Sequence, residues 1–217
     1  MTKTRSFLVE DHPITRQGLE QLIGSQADME VCGWADDVAP ALSGIDKTGP
    51  NLVITDLSLK GLDGLELVKQ IRSKRAGLPV LVLSMHDESL YAQRVLRAGA
   101  RGFIMKAEAP EKLLLAVRGI LRGEVYLSEK ESARALANFA RGGPPALNSP
   151  AEQLSDRELE VFRCIGRGLS LREIAGQLHL SVKTVETHCA HIKTKLNVAN
   201  SRELARRAFL WLQQMER

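Results

Sequence analysis

The sequence contains no apolar run that approaches the ~20 residues needed to span a bilayer. Its first residues, MTKTRSFLVEDH, also lack the long apolar centre of a signal peptide. Both absences predict a protein that stays in the cytoplasm and does not insert into membranes. Only three cysteines occur, Cys32, Cys164 and Cys189, and they are odd in number and widely spaced. This usage predicts reduced, mostly buried thiols and excludes a disulfide framework or a cysteine metal site.

The chain has no internal repeats, and its 217 residues are too many for one ordinary small domain and about right for two. Hydrophobic residues make up 44% and charged residues 26%, which is typical of a folded globular chain. Residues 1–128 contain 16 Lys and Arg and 16 Asp and Glu, whereas residues 129–217 contain 14 and 10. The whole net charge of +4 therefore lies in the C-terminal part, which suits an anionic partner such as DNA.

Residues 1–122 alternate short apolar runs with amphipathic segments. The runs SFLV, EVCGW, NLVIT, PVLVLS and GFIM are rich in β-branched and large apolar residues and are bounded by turn residues. The segments between them, such as 64–75 and 111–122, repeat apolar residues every three or four positions. Five strands alternating with five helices predict an α/β domain, a doubly wound five-stranded parallel sheet covered by helices on both faces.

The pattern loosens over residues 123–153, which are predicted to be a linker with a connecting helix. Ser128 and Glu131 have capping-box spacing at the start of that helix. The following segment, RGGPPALNSP, cannot continue a helix and predicts a flexible connection.

Residues 154–217 show no strand signal and predict a small all-α domain of four short helices. The S-x-x-E patterns that begin at Ser155 and Ser170 indicate two helix starts, and Ser181 can cap a third helix.

Charged and hydroxyl side chains end the predicted strands at one edge of the sheet. FLVED ends in Glu10 and Asp11, NLVITD in Asp56 and VLVLS in Ser84, while Lys106 follows GFIM. In an open parallel sheet, ligands bind beyond the carboxyl ends of the strands. Three carboxylates gathered there would repel one another and raise one another's pKa values. A hard divalent cation resolves the repulsion, and Mg²⁺ prefers few carboxylates together with water and a phosphate oxygen.

This grouping suits phosphoryl transfer to a carboxylate. Asp56 can act as a nucleophile that accepts a phosphoryl group as an acyl phosphate. Mg²⁺ and the ammonium of Lys106 would neutralise charge on the phosphoryl oxygens, and the Ser84 hydroxyl can donate to one of them. The alternative makes each residue structural, with Asp11 a helix cap, Asp56 a turn residue and Lys106 a surface charge. Their joint occurrence, in order at strand ends, favours the phosphoacceptor site.

The motifs VEDH, ITDLSLKGLDGLEL, VLSMHDE and GARGFIMK resemble the receiver domain of two-component response regulators, in order over residues 5–122. The resemblance implies that a partner histidine kinase phosphorylates Asp56. It also implies Mg²⁺ ligation by Asp11, Asp56 and the backbone carbonyl of Ser58, with Glu10 acting mainly through water. Such a domain is not a turnover enzyme, and its own chemistry is limited to Mg²⁺-dependent self-phosphorylation and autodephosphorylation.

The resemblance also assigns a conformational switch. It makes Ser84 one switch residue and places Phe103 at the position of the aromatic switch residue. A core aromatic is an equally good interpretation of Phe103.

A helix predicted over residues 182–196 is amphipathic and follows a tight turn. Apolar residues recur in it at steps of three and four and predict one buried stripe. The stripe comprises Val182, Val185, Cys189, Ile192 and Leu196. Hydroxyls and cations on the other faces suit insertion into the major groove of DNA.

Residues 154–213 resemble the LuxR-type helix-turn-helix domain, and the combination with a receiver resembles the NarL/FixJ class of response regulators. The resemblance makes helix 182–196 the recognition helix for double-stranded promoter DNA. The predicted contacts are Lys183, Thr184, Glu186, Thr187, His188, His191 and Lys193. Glu186 stands where many relatives have a basic residue, and it can accept a hydrogen bond from a cytosine amino group. A solvated face is an equally good interpretation of Lys193.

The favoured function is a transcription factor controlled by phosphorylation, which forms a homodimer when phosphorylated. One alternative is a phosphorelay receiver whose C-terminal helices bind a protein partner, and the recognition-helix pattern argues against it. Another is a LuxR-type regulator that senses a small molecule. That function needs an apolar ligand pocket in the first half of the chain, where the strand ends instead carry the acidic site.

Overall fold

The computed structural model describes most of the chain. The described residues are 3–59, 64–85, 88–140, 150–178 and 180–215. They divide into an N-terminal unit, Met1–Arg141, and a C-terminal unit, Gly142–Arg217. Within these ranges, no helix is both long and apolar enough to cross a membrane.

The N-terminal unit contains the predicted five-stranded parallel sheet. Its strands are β1 (Thr4–Val9), β2 (Met29–Ala35), β3 (Leu52–Asp56), β4 (Val80–Ser84) and β5 (Gly102–Met105). Their order is β2-β1-β3-β4-β5, and all the pairs are parallel. The chain direction across the sheet reverses at the β1/β3 junction, and the carboxyl ends of the strands at such a switch point form a crevice. The predicted fold class is confirmed.

Helices cover both faces of this sheet. They are α1 (Pro13–Gly24), α2 (Val38–Thr48), α3 (Gly64–Lys74), α4 (Glu88–Ala98) and α5 (Ala109–Leu121), the last preceded by a 3₁₀ turn at Lys106–Glu108. On one face, α1 and α5 bury Leu19 and Leu113 against strand residues such as Ile54. On the other face, the Phe7 ring lies against Gly44 of α2. The strands are therefore buried on both sides, as their continuous apolar sequences predict.

The segment after α5 extends the N-terminal unit beyond the predicted end at residue 122. Gly123, with φ of 91°, turns the chain back toward the sheet. Tyr126 then joins the edge of β5: its N–H donates to the Arg101 carbonyl (2.9 Å), and its carbonyl accepts from the Phe103 N–H (3.0 Å). Residues 123–126 are thus held by the sheet.

The predicted connecting helix is present as α6 (Glu129–Ala140), which packs against α4. The Ser128 hydroxyl accepts from the Glu131 N–H over 3.3 Å. The N–H of Ser128 donates to the Glu88 carboxylate over 2.8 Å, where a complete capping box would use Glu131. The start of α6 is therefore anchored to the first turn of α4. Residues 141–149 of the predicted linker lie outside the described residues.

The described part of the C-terminal unit is all helical. Its helices are α7 (Pro150–Gln153), α8 (Asp156–Gly166), α9 (Leu171–Gln177), α10 (Val182–Lys195) and α11 (Ser201–Met215). Both predicted capping boxes are complete at the starts of α8 and α9, and the Ser181 hydroxyl caps α10. The one-turn helix α7 adds to the four predicted helices. The rings of Phe162 in α8 and Trp211 in α11 meet at 5.6 Å between centroids.

The predicted buried stripe of α10 is largely correct. Val185 and Ile192 are fully buried and Leu196 nearly so, while Cys189 is half-buried. The prediction is wrong for Val182, which is 38% exposed. Helical Cα–Cβ bonds tilt toward the N-terminus, so a side chain at the first helical position projects past the end of the helix. All three cysteines are free, and only Cys164 is fully buried.

Candidate functional site

Four of the predicted site residues meet at the carboxyl edge of the sheet. Glu10 and Asp11 follow β1 directly, Asp56 ends β3, and all three are buried. Lys106 follows β5 and reaches across this edge. Its Nζ lies 2.7 Å from Oδ2 of Asp56 and 2.7 Å from Oε2 of Glu10. One ammonium thus bridges carboxylates from two strands on either side of the switch point.

Burial and neighbouring charges shift the pKa values of Asp56 and Lys106 in this site. Burial raises the pKa of Asp56, the paired Lys106 only partly offsets that rise, and the charge of Glu10 adds to it. Burial by itself would lower the pKa of Lys106, but the contacts with Asp56 and Glu10 outweigh it and raise that pKa. The ammonium therefore stays charged, and the carboxylates of the site outnumber it.

The same place has the donor set of a cation site. Ligand atoms of Glu10, Asp11, His12 and Asp56 all lie within 4.8 Å of one another. Among the described residues, the site contains three carboxylates and one ammonium and so has an excess of negative charge. A divalent cation therefore fits both the geometry and the charge. His12 is the residue that the sequence interpretation missed. Its position next to the acidic pair in VEDH was the available signal.

The remaining predicted residues of this half lie around Asp56. Ser58 is exposed, and its N–H donates to Oδ1 of Asp56 over 3.2 Å. Ser84 is fully buried at the end of β4, the strand next to β3. Phe103 in β5 is also fully buried, opposite Val82. Because side chains alternate along a strand, Ser84 and Phe103 lie on the same face of the sheet.

Gly64 permits the close approach of α3 to the end of β3. A Cβ at this position would collide with the backbone carbonyl of Asp56 and lie 2.8 Å from that of Leu57. The Gly64 N–H donates to the Leu57 carbonyl over 2.9 Å. The first residue of α3 therefore packs directly on the backbone that carries Asp56.

The second group of predicted residues lies along α10. Four of the seven are exposed, namely Lys183, Glu186, Thr187 and His191. Of these, His191 lies at the edge next to α8, with its Nδ1 3.9 Å from the Glu158 carboxylate. Thr184, His188 and Lys193 are half-buried. The exposed set recurs at steps of three and four, so it forms one continuous surface.

His188 is partly turned into the domain. Its Nδ1 is enclosed and has no hydrogen-bond partner among the described residues, and burial lowers the pKa of the ring. A neutral ring with only its Nε2 side available differs from the cationic DNA contact that a histidine on an exposed face supplies.

Glu158 of α8 contacts the C-terminal end of α10. Its carboxylate accepts from the Ser155 N–H over 2.8 Å and from the Lys195 ammonium over 2.7 Å. Burial raises the pKa of Glu158, but the bonds with Lys195 and Ser155 outweigh it and lower that pKa. Lys195 therefore joins α10 to the capped start of α8.

Known protein families match both units. Residues 7–118 match the family described as response regulator receiver domain, and residues 152–208 match bacterial regulatory proteins of the luxR family. The oxygen regulatory protein NreC of Staphylococcus haemolyticus is 36% identical over 201 residues, which are 91% of this chain and 93% of that protein. The transcriptional regulatory protein UhpA of Escherichia coli is 37% identical over 202 residues, covering 93% and 96%.

A solved structure also resembles the whole chain. RcsB from Salmonella enterica serovar Typhimurium, bound to a promoter with the phosphate mimic beryllofluoride, is 27% identical. It aligns with a TM-score of 0.58 over 94% of this chain and 97% of that chain.

An acidic cluster paired with a lysine at the edge of a 2-1-3-4-5 sheet, joined to a helix-turn-helix unit, defines a receiver with a DNA-binding output. The chain belongs to the NarL/FixJ class of response regulators, which combine a receiver with a LuxR-type domain and regulate transcription.

Proposed function

We propose that Asp56 is the phosphoacceptor of this response regulator and that its phosphorylation by a histidine kinase controls binding of α10 to promoter DNA. The observation that carries the proposal is the ammonium of Lys106 held 2.7 Å from both Asp56 and Glu10. A buried nucleophilic carboxylate, a fixed cation and a neighbouring acidic pair are the groups that phosphoryl transfer to an aspartate needs.

The transfer itself is a displacement at phosphorus. One carboxylate oxygen of Asp56 forms the new P–O bond, while the P–N bond of the kinase phosphohistidine breaks and its electron pair stays on the imidazole nitrogen. Lys106 neutralises part of the charge on the transferred group. The Ser84 hydroxyl, at the end of the next strand, donates to a phosphoryl oxygen. Small phosphodonors support the same reaction without the kinase.

The acidic cluster is proposed to hold Mg²⁺. Asp11, Asp56 and the backbone carbonyl of Ser58 would be direct ligands, and Glu10 would act mainly through water. When bound, the cation supplies charge neutralisation on the phosphoryl oxygens. The chain's own residues limit bulk solvent at the site and hold the acceptor oxygen in place, since Glu10 and Asp56 are nearly inaccessible to solvent.

The exposed surface of α10 is proposed to read the major groove. Lys183 and Thr187 lie near the start of the helix, where a recognition helix contacts base edges and phosphates. His191 and Thr184 are proposed as further contacts, and Lys193, two positions after His191 and therefore on another side of the helix, as a separate one. Glu186 is proposed to contribute base preference, and His188 to contribute through Nε2 alone.

Phosphorylation is proposed to act through dimerisation. Two α10 helices in successive major grooves require protomers ~34 Å apart along the duplex. A related solved structure, of two RcsB dimers bound to two parallel DNAs, supports binding of DNA by a dimer through analogy. A preference of about 3 kcal/mol for the dimerising state changes apparent affinity by roughly a hundredfold. Ser84 and Phe103 are proposed as the switch residues, because they share one face of the sheet next to the acceptor site.

The acceptor is tested by labelling with a small phosphodonor and Mg²⁺. Asp56→Asn should abolish hydroxylamine-sensitive labelling. Asp46→Asn is the matched control, since Asp46 is an exposed carboxylate paired with Arg75 at 3.0 Å, and it should label like the parent. Normal labelling of Asp56→Asn would disprove the assignment.

Control by phosphorylation is tested with the full-length chain and an inverted-repeat fragment selected from genomic DNA. Beryllofluoride should raise both the affinity and the sedimenting mass. Equal affinity at unchanged mass would overturn the dimerisation mechanism. An absence of salt-dependent DNA binding would instead favour a phosphorelay receiver whose C-terminal helices bind protein.

A further inference from the structure

We infer that Arg16 is a positioning residue for phosphoryl transfer to Asp56. Its guanidinium is held against the ring of Trp34 and fixes the backbone of Glu10. The inference rests on the proposed function, in which the carboxylate of Glu10 and the ammonium of Lys106 flank the phosphoacceptor. Two contacts of Arg16 carry it, one with an aromatic ring and one with a backbone carbonyl.

The place of Arg16 in α1 is unfavourable for a cation. It is the fourth residue of the helix, near the end where the helix dipole stabilises anionic side chains and disfavours cationic ones. The first turn of α1 also contains no acidic residue that would offset its charge. The stability of α1 therefore gives no reason for an arginine here, and its contacts outside the helix supply one.

The first contact is with Trp34, the next-to-last residue of β2. The Cζ atom of Arg16 lies 3.8 Å from the centroid of the Trp34 ring. A cation over the face of an indole is attracted by the ring quadrupole, and the planar guanidinium of arginine stacks well on it. Because β2 is the edge strand next to β1, the ring holds this guanidinium beside the carboxyl end of β1.

The second contact is with Glu10, where the chain leaves β1. Nη1 of Arg16 donates to the carbonyl oxygen of Glu10 over 3.2 Å. On the other side of the same residue, the N–H of Glu10 donates to the carbonyl of Ala35 over 3.0 Å. Both peptide groups of Glu10 are therefore held, one by the neighbouring strand and one by Arg16.

The position of the Glu10 backbone matters because its side chain reaches the acceptor site. Oε2 of Glu10 lies 2.7 Å from the ammonium of Lys106, which lies 2.7 Å from Oδ2 of Asp56. A shift of Glu10 would move the cation that the acceptor shares. Phosphoryl transfer depends on positioning of this kind, and displacements of about 1 Å are enough to slow a reaction strongly. Arg16 acts on the reaction through Glu10 and touches no reacting atom.

The test measures the rate of labelling of the full-length protein at saturating Mg²⁺ and saturating small phosphodonor. Arg16→Met keeps the aliphatic length but removes the donor and the charge, and it should slow labelling by about fivefold or more. Arg5→Met is the matched control. Arg5, near the other end of β1, also donates to a backbone carbonyl, that of Thr48 over 2.6 Å, and its variant should label at the parent rate.

Urea unfolding of the two arginine variants separates positioning from stability. An arginine that only stabilises the fold changes the free energy of unfolding without changing the labelling rate of the folded protein. A parent-like rate in Arg16→Met would therefore overturn the inference, whatever its stability. Equal slowing by Arg5→Met and Arg16→Met would overturn it as well, because the effect would then not depend on the contact with Glu10.

A double-mutant cycle tests whether Trp34 acts through Arg16. Trp34→Leu should slow labelling by about twofold, because the guanidinium loses the ring that holds it. The double variant with Arg16→Met should be no slower than Arg16→Met alone, since the ring has no other route to the acceptor site. Slowing in the double variant by the product of the two single effects would overturn the linked arrangement.

Asp56→Asn distinguishes failure of this inference from failure of the proposed function. Labelling that is abolished by Asp56→Asn but unaffected by Arg16→Met would overturn the role of Arg16 and leave Asp56 as the phosphoacceptor. Labelling that survives Asp56→Asn would overturn the proposed function itself. Slower labelling in Arg16→Met, with a parent-like rate in Arg5→Met and no further slowing in the double variant, supports the inference.

Discussion

The ammonium of Lys106 lies 2.7 Å from Oδ2 of Asp56, although 50 residues separate them in the chain. Both side chains are nearly inaccessible to solvent, so the pair is not a surface contact that solvent screens. Lys106 also contacts Glu10 at the same distance. Removal of the lysine therefore leaves two buried carboxylates without their shared cation.

Lys106→Met should lower the free energy of unfolding by about 2–4 kcal/mol in the absence of divalent ions, because buried charges lose their partner. Added Mg²⁺ should recover more stability in the variant than in the parent. Urea unfolding with and without Mg²⁺ measures both effects. Lys112→Met is the control, since Lys112 pairs with Glu108 on the surface and its unfolding curve should stay close to that of the parent. Equal unfolding curves for Lys106→Met and the parent would contradict the prediction.

The Lys106→Met variant should still accept a phosphoryl group from a small donor, with a weakened DNA-binding response.

Gly64→Ala should displace the end of β3, which carries Asp56, from the start of α3. The added methyl group meets the Asp56 and Leu57 carbonyls, which are backbone atoms and cannot rotate away. We expect a loss of about 1–3 kcal/mol in unfolding free energy, together with slower phosphorylation. Gly18→Ala in α1 is the matched control, because a Cβ there has nothing within 4 Å. It should be stabilising by about 0.5–1 kcal/mol at an unchanged phosphorylation rate. Parent-like labelling kinetics in Gly64→Ala would show that the contact between α3 and the end of β3 tolerates a side chain.

Lys183→Ala should weaken DNA binding for all sequences and reduce the slope of log affinity against log salt by about 0.9 per protomer, as expected for one phosphate contact. Glu186→Ala should instead change base preference with little change of slope. Lys195→Ala is the comparison, because its ammonium is held 2.7 Å from Glu158 and should leave the slope unaltered. Filter binding over a salt series measures the slopes. If both Lys183→Ala and Glu186→Ala bind like the parent, α10 is not the DNA reader.

Glu158 should make the free energy of unfolding of the C-terminal unit depend on pH in the acidic range. Its pKa is lowered in the folded state, so its stabilising contribution is present above the ordinary pKa of ~4.3 and is lost as pH falls through the folded-state pKa. Glu158→Gln should therefore show a smaller loss of stability than the parent between about pH 6 and about pH 3.5. In a Trp34→Phe background, the fluorescence of buried Trp211 reports this unit alone. The same acid dependence in both proteins would contradict the role of Glu158.

Sequence alone was sufficient for the features that depend on local pattern and on parallel topology. The alternating apolar runs predicted five strands, and the carboxyl ends of parallel strands share one edge of a sheet. That rule predicts that Asp56, Asp11 and Lys106 lie together at this edge. The capping boxes at Ser155 and Ser170 were equally predictable, because a cap involves residues only three positions apart.

Tertiary packing decided which partner each polar group took. No periodicity indicates that Lys195 joins Glu158, that Ser128 donates to Glu88, or that the chain returns at Tyr126 to pair with β5. These contacts join elements distant in sequence, and they depend on differences of about an ångström in how helices and strands pack. The direction of the His12 ring was likewise not predictable from the sequence. Its sequence position shows only that it follows two acids, whereas the backbone at the start of α1 turns Nδ1 toward Asp11 and Glu10.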